Sequence, residues 1–178
     1  NAMRKVWTRF PADADAGALF AEALMDLNPW NFWTLDGKAS PGTDEIVATL
    51  EAVLKLAPDH PGANHFYIHA VEASRTPERA VPSAERLGGL VPDAGHLVHM
   101  PAHIWHRVGR YADSEAANVR AARVDSLYLA AHKPEGIYPM MYVPHNIHFI
   151  WSAAGLAGRS TVALAAARRL EPLVPVGM

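Results

Sequence analysis

The chain has 178 residues, half of them apolar, enough to bury the core of one domain and marginal for two. With 16 basic and 18 acidic residues the formal net charge is −2, and no basic stripe stands out, so electrostatics give a nucleic-acid backbone nothing to bind. The absence of cysteine excludes disulfides, thiolate metal sites and cysteine nucleophiles, and leaves the redox compartment open.

Asn1-Ala2 before Met3 reads as a tag remnant, and the NAMRKVW start lacks the apolar stretch of a secretory signal. No run of about 18 apolar residues could span a membrane. No membrane association is expected, and the default location is the cytoplasm. Alanine-rich amphipathic stretches then follow in order: 16–27, 43–56, 62–73, 77–90, 112–132 and 160–170 all predict helices. Between the first two lies WNFWTLDGKASPG (30–42), long for a turn within a helix pair. Very little predicts strand. Each helix is too short to bury its apolar face alone, so stacked helix pairs are expected.

Spacing supplies the next clue. Four of the ten histidines fall within GHLVHMPAHIWH (95–106): His96, His99, His103 and His106. Pro58 and Pro92 lie 34 residues apart, as do His65 and His99, and His69 and His103. Gly109-Arg110 matches Gly158-Arg159 at a separation of 49, as His96 matches His145 and His99 matches His148. The longer interval reflects an insertion around SLYLAAHKPEGIYPMMY (126–142).

A 34-residue period of helix–turn–helix units is the arithmetic of tetratricopeptide repeats (TPR). The chain resembles that family at Gly109-Arg110-Tyr111, Ala121 and Asp125, and at the prolines Pro58 and Pro92 just past a second helix. The signature Trp and Gly of the first helix are missing, and Pro101 falls inside one. The chain is also similar to a group of bacterial TPR proteins with HxxxH-bearing helices. The resemblance implies an all-α, TPR-like superhelix of about four helix pairs, forming a single domain over residues 3–178. Its terminal units show no evident polar cap, so a homo-oligomer covering the ends is a further expectation.

In this family the first helix of each pair lines a concave groove. The resemblance places His96 and His145 at the second position of their units, His65, His99 and His148 at the fifth, His69 and His103 at the ninth, and Glu72 and His106 at the twelfth. Independently, His65/His69 and His99/His103 are i,i+4 pairs, one turn apart on one helix face, and two imidazoles so placed can grip one ion. His145/His148 is an i,i+3 pair. The expected metal ligands are therefore His65, His69, His96, His99, His103, His145 and His148. Glu72 and His106 are the candidate catalytic groups, Glu72 as ligand or general base. Nitrogen and carboxylate donors without thiolate suit zinc, copper, nickel or non-haem iron.

Two functions stay open: a metal-binding protein, with a metalloenzyme as its extension, and a scaffold holding a peptide or small molecule in its groove without chemistry. Among the remaining features, Asn64 and Asn146 either orient ligands or bond the helix start. Tyr138 and Tyr142 either cover the groove or pack as an ordinary loop. Trp30, Trp33, Trp105 and Trp151 are expected in the core or groove wall, and His60 and His132 as hydrogen-bonded core residues. Arg107 is expected to be a solvated helix-end charge.

Overall fold

The computed structural model describes residues 2–174, and every regular element among them is helical. No helix among the described residues is long and apolar enough to cross a membrane. The chain divides into two compact units between Leu90 and Val91.

Unit one holds α1 (Ala2–Arg9), α2 (Ala14–Met25), α3 (Thr43–Leu56), α4 (Pro61–Val71) and α5 (Val81–Leu90). Local chemistry explains the starts. The Asp13 carboxylate accepts the Ala16 N–H at the head of α2 (3.1 Å), and Pro61 occupies the first turn of α4, where a missing N–H costs nothing. A 3₁₀ turn, Pro77–Ala80, leads into α5. The core gathers Leu50, Val53, Ile68, Val71 and Leu87, all fully buried. The long segment between α2 and α3 is ordered rather than slack. The Trp33 indole N–H donates to the Ala70 carbonyl (2.7 Å) and the Thr43 hydroxyl to the Phe32 carbonyl (2.8 Å), which docks the segment on α4 and α3.

Unit two holds α6 (Gly95–His99), α7 (Pro101–Arg107), α8 (Tyr111–His132), α9 (Val143–Leu156) and α10 (Ser160–Leu170). Pro101 lies between α6 and α7. Met100 keeps right-handed helical angles, φ −49° and ψ −38°, so the rod continues while its hydrogen-bond ladder is interrupted. The His103 N–H reaches back three residues to the Met100 carbonyl instead of four. The 49-residue echo is visible in the backbone. Gly109 and Gly158 both adopt left-handed angles, φ +78° and +73°. Beyond them Arg110 N–H donates to the Trp105 carbonyl and Arg159 N–H to the Ala154 carbonyl, each at 2.8 Å. This is the same glycine-dependent helix stop used twice.

The insertion is largely exposed but anchored at one point. It forms a single π-helical turn, Tyr138–Tyr142, that runs into α9. The Tyr138 hydroxyl donates to one oxygen of buried Asp125 (2.6 Å), and the Asn146 amide donates to the other (2.6 Å). Burial pushes the Asp125 carboxyl above its usual range, and these two hydrogen bonds oppose that. Gly95 lies against the same cluster: a Cβ there would overlap the Asp125 carboxylate and stand 3.0 Å from the Tyr138 hydroxyl. Gly95→Ala should therefore cost about 1–3 kcal/mol of stability, checked by denaturant unfolding of the full chain, whereas Gly89→Ala in α5, which meets nothing, should not.

Several expectations need correcting. Trp105 is buried, while Trp30 and Trp151, exposed at 75% and 43%, are not core residues. His132 is exposed at the end of α8, its ring on Tyr128. His60 is not a core residue but a cap: its Nδ1 accepts the Ala63 N–H (3.1 Å) at the start of α4.

Candidate metal centre

In unit two, α6 delivers His99, α7 delivers His103 and α9 delivers His145 to one place. His99 is fully buried, and His103 and His145 are half-buried. One nitrogen from each ring lies within 4.8 Å of the other two. His103 Nε2 is the node, 2.9 Å from His99 Nε2 and 3.5 Å from His145 Nε2. A tetrahedral ion bound at about 2.0–2.1 Å holds its nitrogen donors about 3.3 Å apart, between these two values. Two of the three ring separations fit as well. Two imidazoles bound through Nε2 to one ion stand about 4.5–5.2 Å apart; His99 lies 4.8 Å from His103 and 4.7 Å from His145, while His103 and His145 are wider at 5.6 Å.

The tautomer of His99 is set by α8. The Asn118 amide nitrogen donates to the Ser114 carbonyl (2.8 Å), which turns its oxygen toward His99. His99 Nδ1–H therefore donates to Asn118 Oδ1 at 2.6 Å, leaving a lone pair on Nε2 that faces the other imidazoles. Both residues are buried. Burial, reinforced by His103 and His145, holds the His99 imidazole well below the ordinary histidine range, against the opposing bond to Asn118. A neutral ring is the form that binds metal.

The pH dependence follows. Between the unfolded value of about 6.5 and the depressed folded value, the unfolded chain binds the His99 proton and the native chain does not. The stability contributed by neutral His99 is thus complete above pH 6.5 and lost as pH falls through that window. In chelator, the melting temperature of the wild type should drop below pH 6.5, and that of His99→Gln should drop less.

Phe149, one turn beyond His145 on α9, packs against all three rings, with centroid distances of 4.8, 4.9 and 4.9 Å. His96 stands parallel to His99 at 6.0 Å, with Tyr142 edge-on to it at 4.7 Å, outside the unit-two triad. The π turn thus brings Tyr142 to the margin of this cluster. His148 is exposed and lies on Trp151. His106 is half-buried, its Nε2 3.4 Å from the Ser152 hydroxyl, and it contacts Phe149 and Tyr111. Burial, then neighbouring Arg107 and two histidines, lower its proton affinity. Arg107 is exposed.

In unit one, His65 and His69 share a face of α4, with ring centroids 5.0 Å apart. Glu72, just past the end of α4, places Oε1 2.9 Å from His69 Nδ1. Within this unit Glu72 orients a histidine.

The two asparagines beside histidines do other work. Asn64 donates to the Pro58 and His60 carbonyls at the start of α4 (2.8 and 2.9 Å), and Asn146 holds Asp125. The orienting asparagine is Asn118, on a different helix. Its signal in the sequence is the polar series Ser114, Asn118 and Asp125, spaced by four and then seven along the inner face of an otherwise alanine-lined helix. Compared with known proteins, the chain matches no family model and no curated sequence at a significant level.

Proposed function

We propose that this chain is a metal-binding protein built from TPR-like helix pairs, with a divalent transition ion held by His99, His103 and His145. The carrying observation is the approach of two Nε2 atoms, of His99 and His145, to His103 Nε2, at spacings suited to one ion, with the tautomer of the buried member fixed by Asn118. Three imidazoles without thiolate are compatible with zinc, copper, nickel and iron. The repeated left-handed glycine stops at Gly109 and Gly158 support the repeat reading.

A three-histidine set leaves a coordination position for water or a substrate, which makes a metalloenzyme the natural extension of the reading. The ion would supply Lewis acidity and lower the pKa of bound water. The chain's own groups would supply orientation through Asn118 and a dry wall through Phe149. His106, one turn past His103 and held toward its neutral form, is the nearby proton acceptor.

Elemental analysis of protein purified without an immobilised-metal column tests the reading. Stoichiometric metal after reconstitution, lower by one equivalent in His103→Ala/His145→Ala, is the expected result. Metal content near zero, with chelator leaving melting unchanged, would instead favour a peptide-holding scaffold.

A further inference from the structure

We infer that unit one carries a second transition-metal site on α4, formed by the imidazoles of His65 and His69, buttressed by Glu72 and walled by Trp30. The site goes beyond the centre proposed for unit two and does not require that centre to fill.

The geometry has three parts. First, the i,i+4 pair stands at a centroid separation of 5.0 Å, within the about 4.5–5.2 Å expected of two imidazoles sharing one ion. A ring nitrogen of each lies within 4.8 Å of the other. Second, an ionised Glu72 can only accept, so its 2.9 Å contact makes His69 Nδ1 the protonated nitrogen and leaves Nε2 to donate its lone pair. A carboxylate behind a histidine in this way fixes ring orientation and strengthens the ligand. His69 is buried, so the orientation is held by packing as well.

Third, the segment between α2 and α3 presents an indole to the pair. Trp30 has φ +64°, a left-handed angle that bulky side chains rarely adopt. Its ring meets His69 edge-on at 5.1 Å and 82° while the residue stays 75% exposed. Burial of Trp30 does not explain that strained angle. The Trp33–Ala70 hydrogen bond anchors the segment to α4 three residues later and holds Trp30 in place. Strain kept at one exposed residue beside the buttressed His69 imidazole points to a site. With two nitrogen donors and an orienting carboxylate, the ligand is a divalent late transition ion whose remaining positions are taken by water or a small ligand.

The test uses cobalt(II), whose paramagnetic centre quenches an indole close to it. The background is the full chain with His103→Ala and His145→Ala, which removes the unit-two centre, so failure of that reading cannot affect the result. The quenching lost on adding Trp30→Phe reports Trp30 alone. Saturable quenching of Trp30 at one cobalt per chain is expected, weakened at least about tenfold by Glu72→Gln and abolished by His65→Gln/His69→Gln. Melting curves in chelator verify folding. If the double substitution unfolds the chain, His65→Gln alone, at a half-buried position, serves instead. Quenching that never saturates, or that survives loss of the histidines, overturns the inference.

Discussion

Zinc at a hundredfold excess over its dissociation constant should stabilise the wild-type chain by about 2.7 kcal/mol through each occupied site, and His103→Ala should cancel the contribution of unit two. At this chain length that is a loss of about 5–10 °C in the metal-induced rise of the melting temperature, read by calorimetry with and without chelator. Bound metal should fall by one equivalent in parallel. His103 is chosen because its Nε2 is the atom that both other rings approach, at 2.9 and 3.5 Å. It is only half-buried, so alanine there opens little core. Removing His99 would confuse two effects, since that ring is fully buried and bonded to Asn118. Without metal, His103→Ala should melt close to the wild type. A metal-induced rise in melting temperature that the substitution does not reduce would show that His103 holds no ion.

Asn118→Leu should weaken metal binding at the unit-two centre about 10–100-fold and lower stability in chelator by about 1–3 kcal/mol. Leucine is close to asparagine in size, so the loss comes chiefly from chemistry. It strips the acceptor from a buried imidazole N–H and frees His99 to adopt the other tautomer, with its proton on Nε2 facing the site. Asn118→Asp keeps the acceptor and should retain most of the affinity. Nitrogen-15 shifts of the His99 ring identify the tautomer directly and separate this positioning role from mere packing. Unchanged shifts in Asn118→Leu would show that Asn118 does not set the ring.

The helices were largely legible because their signals are local. The predicted stretches at 43–56, 112–132 and 160–170 coincide with α3, α8 and α10 to within a residue, since alanine propensity, apolar period and glycine stops all act within a turn or two. Pairing His99 with His103 was also a local matter of helical spacing. Bringing in His145 needed the 49-residue echo, and the structure sets it beside the other two. What escaped was contact between helices. Nothing near His99 in the chain announces Asn118, nineteen residues on, and nothing in EGIYPMMY announces the Asp125 anchor for its tyrosine. The tryptophans divided for a related reason: side-chain size predicts burial on average, but Trp105 is buried while Trp30 stays exposed with its ring on His69.

The phenyl ring of Phe149 would set the direction of approach to a metal ion at this centre. Because it touches each of the three imidazoles, it would occupy one side of any ion they held, and an incoming molecule would approach from the side it leaves clear. That flank is hydrocarbon, which would lower the local dielectric and let charge on the ion be felt more strongly. A smaller residue at 149 would admit solvent behind the donors, softening the ion's pull and removing the one-sided access at a single stroke.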